Sequence, residues 1–244
     1  IIGVSQHYLN SVMQHYSFKK SSTVIYRTFD LRKFKNALNR SEARQKLGLE
    51  EQDEVLLFLG NLTKQKRPDK FIEIISQLTK SRPKLKALIV GDGVLRNELE
   101  KKLKFTSSKQ FEASDSSVSG NPLFVSFMGY QQDIAPYLAV ADILVLPSDT
   151  EGLPGVILEA AYFGVPTIAT AVGGIQECLL DGETGILVPD RSVEGFCERI
   201  NSLLANPEFR VQMGLKSKYF VSENFKMDVL ARQYLNFFSS LLQE

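Results

Sequence analysis

From residue 54 onward the chain alternates short, unbroken apolar runs with longer amphipathic ones. The apolar runs cover residues 55–59, 85–90, 123–128, 143–146, 167–170 and 185–188. None alternates polar with apolar positions, so each predicts a strand buried on both faces. The runs between them space apolar residues three and four apart and predict helices. Residues 69–81 place Phe71, Ile74, Ile75 and Leu78 on one helix face, and further helices are expected at 94–103, 134–140, 155–163 and 175–180. Three more close the chain, at 193–205, 207–221 and 227–242. Residues 105–122 are polar, serine-rich and aperiodic and predict a flexible loop. Six buried strands alternating with helices predict an α/β fold, a doubly wound, Rossmann-like parallel six-stranded sheet. Right-handed crossovers put all the strand C-termini on one edge, where such sheets bind ligands.

The first fifty residues do not share this rhythm. Residues 1–5 predict a short buried strand, and Ser5 is placed to cap a helix running to about residue 16. A second short strand at 23–26 leads into the basic stretch 27–44, and a short helix starting near Ser41 ends at Gly48. The expected organisation is therefore a remnant of a preceding domain at 1–22, a linker at 23–53, a ligand-binding domain at 54–225 and a crossing helix at 226–244.

The densest chemistry lies in residues 147–177. An apolar strand ends at Pro147, Gly152-Leu153-Pro154-Gly155 opens a helix, and Glu151 and Glu159 stand eight positions apart. Val156 continues the helix, and a Gly173-Gly174 turn follows the next strand. A strand, a glycine-rich turn and a helix N-terminus make a seat for an anion, because the first-turn N–H groups point outward and the helix dipole favours negative charge. Glu159 lies within an otherwise apolar helix, where a carboxylate is costly unless something ligates it. A phosphate seat flanked by acids that grip hydroxyls describes a site for a nucleotide sugar. Gly60-Asn61 and the basic loop Lys64-Gln65-Lys66-Arg67 follow the first long strand. This loop has neither the dinucleotide nor the P-loop spacing, but one of its cations can reach across the crevice to a diphosphate. Gly91-Asp92-Gly93 and Gly129-Tyr130 sit at two further strand ends.

Composition narrows the choice. A net charge of +1 gives no reason to expect nucleic acid as a partner. Residues 1–50 hold nine Lys/Arg against three Asp/Glu, a basic face compatible with a phosphate-bearing acceptor or a membrane surface. The two cysteines, Cys178 and Cys197, lie in no metal-binding or redox spacing and read as reduced structural thiols. No apolar run reaches the ~18–20 residues that span a bilayer. The expectation is a cytoplasmic protein, peripheral at most to the inner membrane face. His7 and His15, the two histidines, read as ordinary surface residues.

Residues 55–206 resemble the nucleotide-sugar-binding half of retaining glycosyltransferases of the GT-B fold, family 4. The motifs that carry the resemblance come in the family's order: Gly60 with Lys66 six positions later; Ile89-Val90-Gly91-Asp92-Gly93; Phe127-Met128-Gly129; Ala141 through Ser148; Glu151 and Glu159; and Gly173-Gly174-Ile175-Gln176-Glu177. The resemblance implies that Lys66 neutralises the donor diphosphate and Glu151 holds donor-sugar hydroxyls. It implies that N–H groups around Leu153–Val156, with Gly152, Pro154 and Gly155, receive sugar or phosphate oxygens, and that Glu159 binds the ribose diol. Gly60, Gly91 and Gly93 line the donor cleft, and main chain near Gly129-Tyr130 lines the base pocket. No resident cofactor and no metal are implied, and transfer proceeds with retention. Residues 1–50 resemble the family's inter-domain passage, which makes an N-terminal acceptor domain the missing partner. The segment alone is then expected to bind donor and turn over little.

One position departs from the pattern. The family carries Arg beside the first glycine, and here it is Asn61, leaving Arg67 as the residue to supply the second positive charge. The rival reading from another class is a non-catalytic nucleotide-sugar-binding or interaction module. An isomerase or phosphorylase of the same architecture lacks its acid, base or cofactor lysine here, and a nicotinamide enzyme lacks its glycine fingerprint.

Overall fold

The structure, a computed structural model, describes residues 1–16, 22–26, 34, 37–111 (backbone alone at 104–111) and 125–242. Parts of the basic stretch 27–44, residues 112–122 of the expected loop and the first two residues of the strand expected at 123–128 lie outside the described residues. The elements in chain order are β1 (Ile2–Gly3), α1 (Gln6–His15), β2 (Thr23–Val24), α2 (Arg40–Leu47), β3 (Glu54–Leu59), α3 (Pro68–Leu78), β4 (Leu85–Val90) and α4 (Arg96–Phe111). Then follow β5 (Val125–Gly129), α5 (Ala135–Val140), β6 (Ile143–Leu146), α6 (Gly155–Tyr162), β7 (Thr167–Thr170), α7 (Ile175–Cys178) and β8 (Gly185–Val188). The last helices are α8 (Val193–Ala205), α9 (Pro207–Asn224) and α10 (Met227–Leu241).

Six strands form one parallel sheet in the order β5-β4-β3-β6-β7-β8, and β1 pairs with β2 in a separate parallel pair. The α/β doubly wound sheet is thus as expected. Residues along each strand divide between two cores. Val55, Leu57 and Leu59 of β3 join Leu144 and Leu146 under α5 and α6. Leu56 and Phe58 join Ile143 and Val145 under α3 and α8. Phe58 and Phe71 meet with ring centroids 5.6 Å apart across that second interface. Burial on both faces explains why the strands read as unbroken apolar runs.

One expectation needs correction. Helix α4 runs from Arg96 to Phe111, so residues 105–111, read as the start of a loop, continue the helix. Lys109 and Gln110 are good helix formers, and the serines cost too little to stop an established helix.

At the sheet edge opposite the strand C-termini, Asp142 ties the layers together. Its Oδ2 accepts from the Val55 N–H at 2.8 Å, and its Oδ1 accepts from Arg40 at 2.8 Å and from Arg210 at 3.3 Å. These bonds pin α2 and α9 to the β3–β6 pair. Helix α2 begins at a capping box: the Asn39 side chain accepts from the Glu42 N–H at 3.0 Å, and the Glu42 carboxylate accepts from the Asn39 N–H at 3.1 Å. It ends at Gly48 in the left-handed conformation. Asn39→Ala is expected to cost about 1 kcal/mol. That lowers Tm by roughly 2–4 °C in a thermal melt for a chain of this size. Cys178 and Cys197 are free and buried, and burial pushes the Cys197 thiol up to about 11, which fits inert structural thiols.

Candidate functional site

Within the sheet, the chain winds outward through β3, β4 and β5, then returns to the other side of β3 with β6, β7 and β8. The strand order therefore reverses between β3 and β6, and the place for a ligand is at the C-terminal ends of the strands beside that switch point. The turns after β3, β4 and β5 are locked together. Gly60 N donates to Val90 O at 3.0 Å, Leu62 N to Asp92 O at 2.9 Å and Gly91 N to Gly129 O at 2.8 Å. Gly91 has to be glycine here, since a Cβ would stand 2.0 Å from the Gly60 carbonyl oxygen. Tyr130, beyond Gly129, is 78% exposed on the outer side of this group of turns.

Across the β3–β6 boundary the two loops are stitched residue by residue. Asp149 N donates to Gln65 O at 2.9 Å, and Gln65 Nε2 donates to Thr150 O at 2.9 Å. Lys66 Nζ reaches both carboxylate oxygens of Glu151, at 2.6 and 2.7 Å. Arg67 NH1 meets Asp149 Oδ1 at 3.3 Å. The structure thus brings together Lys66 and Glu151, which are 85 positions apart in sequence. Glu151 is 6% exposed. Its Oε1 also accepts from Ser148 Oγ at 2.7 Å, and Thr170 Oγ1 donates to Ser148 O at 2.6 Å. A buried carboxylate is tolerable because it is paired and hydrogen-bonded.

Helix α6 starts three residues beyond Gly152, with Pro154 at its N-cap. Proline has no side-chain oxygen with which to cap the first turn. Leu153 and Pro154 are buried, Gly152 is exposed and Gly155 and Val156 are half-buried, so the turn presents backbone rather than bulk. Glu159 stands one turn further, half-buried beside the buried Leu158 and Ala160. Behind Glu151, Gly173 and Gly174 abut its main chain: their Cβ atoms would lie 1.9 Å from Glu151 O and 1.8 Å from Gly152 O. Glu177, in helix α7 just after that turn, accepts from the N–H groups of Gln6 at 2.7 Å and His7 at 3.0 Å. With Ser5 Oγ accepting from Tyr8 N at 3.1 Å, it caps α1 and joins the N-terminal segment to the crevice loops.

Sequence reasoning assigned no role to Ser148, Thr170, Gln65, Asp149 or Glu177. Ser148 was visible as a polar residue two positions after a buried strand, at the end of the motif that begins at Ala141. Arg67 does not turn to the crevice as a free cation, because its Nε lies 3.1 Å from both Asp69 oxygens and its NH1 binds Asp149. Asn61 is exposed at the turn. Among the described residues, no group of three or more His, Cys, Asp or Glu is placed to hold a metal ion, and no helix is long and apolar enough to cross a membrane.

A buried acid chelated by a lysine, beside an N-terminal helix turn and glycine-lined strand ends, can hold a ligand that is anionic at one point and hydroxyl-rich at another. The family model described as Glycosyl transferases group 1 matches residues 39–219. The chain is 26% identical over 244 residues to N-acetyl-alpha-D-glucosaminyl L-malate synthase of Bacillus anthracis, covering 100% of this chain and 60% of that protein. It is 30% identical over 220 residues to a GDP-mannose-dependent monoacylated alpha-(1-6)-phosphatidylinositol monomannoside mannosyltransferase of Corynebacterium glutamicum, covering 86% of this chain and 54% of the relative. Among solved structures, Anabaena HepE in complex with UDP superimposes with a TM-score of 0.83 at 23% identity, over 98% of this chain and 63% of that one. The C-terminal domain of LpcC, a glycosyl transferase group 1 family protein of Francisella tularensis, has a TM-score of 0.68 at 24% identity, over 82% of this chain and 99% of that one. The chain thus spans between half and two thirds of the length of these two curated relatives.

Proposed function

This chain belongs to the glycosyl transferases group 1 family, and on that premise we propose that it is the donor-binding portion of a retaining, family 4 glycosyltransferase of the GT-B fold. In this reading it takes a nucleotide-diphosphate sugar and, with an acceptor domain N-terminal to it, transfers the sugar to a glycan, lipid or other acceptor. The carrying observation is the Lys66–Glu151 pair at the β3–β6 boundary, next to the first turn of α6.

Counting donors and acceptors shows how the pair can remain intact and still bind. An ammonium has three donors, of which Glu151 takes two, leaving one for a phosphate oxygen. A carboxylate offers about four lone-pair sites. Lys66 and Ser148 occupy three of them, leaving one for a sugar hydroxyl. As the glycosidic bond breaks, negative charge grows on the leaving diphosphate. Lys66 and the N–H groups of Gly155 and Val156 stand where that charge develops, the kind of preorganised stabilisation that lowers a barrier. No metal and no resident cofactor enter this scheme. Glu159 takes the ribose diol, Gly60, Gly91 and Gly93 let the ligand approach the strand ends, and the main chain at Gly129-Tyr130 receives the base.

Titration calorimetry with UDP, GDP and their sugars tests this. A micromolar-to-millimolar Kd for one nucleotide diphosphate is expected, and silence from all of them overturns the reading. The named UDP and GDP-mannose relatives motivate including both bases. A non-catalytic binding module is the second reading, supported by Asn61 and by the engagement of Arg67 with two carboxylates. Donor hydrolysis by the chain joined to its acceptor domain separates the two, since only an enzyme releases free sugar.

A further inference from the structure

Arg67 has φ 53° and ψ 49°, in the left-handed region. Among the described residues, only Arg191 shares this with it outside glycine. That backbone strains an L-residue, a penalty glycine escapes. An outlier of this kind is a reason to ask what the side chain does. The Arg67 guanidinium spans the crevice rim. It grips Asp69, in the first turn of α3, through Nε at 3.1 Å and NH2 at 2.9 Å, and meets Asp149 at 3.3 Å. Asp149 is two positions from Glu151 and half-exposed, beside the seat assigned to the diphosphate. The hydrogen bond to Asp69 raises the guanidinium pKa and outweighs its partial burial.

Arg67 is engaged by two carboxylates and is not a spare cation for the donor. Lys66 and Glu151 cancel, and Arg67 and Lys70, whose ammonium feels both Asp69 and Asp149, balance those two acids, so losing Arg67 leaves the rim around the seat one charge negative. We propose that Arg67 is a positioning residue: it screens Asp69 and Asp149 from the donor diphosphate and clamps the Glu151 loop to the Lys66 turn, without touching the donor. This rests on the donor-site reading above.

The test compares wild type, Arg67→Gly, Asp149→Asn and the double variant by melting temperature and by calorimetry. The probes are UDP or GDP, whichever the wild type binds, and the matching nucleoside. Arg67→Gly is expected to melt at or above wild type, because relieved strain offsets the lost pair. Its affinity for the diphosphate falls about tenfold, since it leaves two carboxylates with Lys70 alone to offset them. Its affinity for the uncharged nucleoside is unchanged. Asp149→Asn added to Arg67→Gly recovers most of the loss. Should glycine loosen the turn, Arg67→Asn repeats the measurement with a side chain that tolerates the same backbone. Unchanged diphosphate affinity in Arg67→Gly overturns the proposal. An equal loss of diphosphate and nucleoside overturns the screening role, and no recovery in the double variant makes Arg67 a direct ligand. Failure of the wild type to bind either diphosphate defeats the donor-site reading itself, a result distinct from these.

Discussion

Lys66→Ala is expected to abolish binding of the donor diphosphate and to cost about 2–3 kcal/mol of stability at once. The Glu151 side chain is 5% exposed and that of Lys66 23%. Removing the ammonium leaves a desolvated carboxylate with Ser148 Oγ as its remaining described side-chain partner. Breaking a buried ion pair from one side is far more damaging than replacing both partners, because the surviving charge stays uncompensated. The partial exposure of Lys66 lets some water reach the site, which keeps the cost at or below the bottom of the roughly 3–5 kcal/mol found for buried pairs. For a chain of this size the loss corresponds to a Tm drop of roughly 5–10 °C. Glu151→Gln added to Lys66→Ala is expected to return most of the stability, because a neutral amide needs no counter-charge, while donor binding stays absent. Urea midpoints for the three variants and calorimetry with the diphosphate make the comparison. A double variant no more stable than Lys66→Ala means that the pair does not carry the effect.

Lys66 and Glu151 were each legible as crevice residues in the sequence, but their pairing and its surroundings were not. Strands that must be buried on both faces leave unbroken apolar runs, and the right-handed crossover then decides which ends of them face a ligand. Gly60, Gly91, Gly129 and Pro147 follow such runs, so their gathering at one edge could be read directly. Lys66 and Glu151 also sit shortly after two of these runs, but the family resemblance singles out Lys66 among the loop cations, and the β3–β6 adjacency that pairs the two shows only in the sheet order. What stayed hidden depends on partners distant in sequence or on a single dihedral. Asp142 appears in the chain as a polar residue before a strand, and nothing local says that Val55, Arg40 and Arg210 converge on it. The start of α2 was read at Ser41, whereas the reciprocal bonds of Asn39 and Glu42 place the cap two residues earlier. Arg67 looked like a spare cation because a left-handed backbone and two acidic partners leave no trace in composition. The polar stretch at 105–111 looked like a loop because its sequence carries no apolar residues at helical spacing to count.

Gly173→Ala is expected to cost about 3 kcal/mol, although it adds a single methyl group. Two penalties combine. Gly173 has φ 53°, where alanine is strained by about 1 kcal/mol or more. Its new Cβ would also fall 1.9 Å from the carbonyl oxygen of Glu151 and 3.0 Å from its carbonyl carbon. That oxygen already accepts from Gly174 N at 3.3 Å, so the turn and the Glu151 backbone must part for the methyl to fit. Gly182 supplies the control. It too has a positive φ, 77°, but no atom lies within 4 Å of the position its Cβ would take. Gly182→Ala therefore isolates the dihedral cost, about 1 kcal/mol, and the difference between the two variants measures the collision. The collision acts on the residue whose carboxylate pairs with Lys66, so Gly173→Ala should also weaken binding of the donor diphosphate, whereas Gly182→Ala should leave it unchanged. Equal losses of stability from the two substitutions, with donor affinity intact in both, mean that the 147–151 loop yields freely and that the Gly173-Gly174 turn does not hold Glu151 in place.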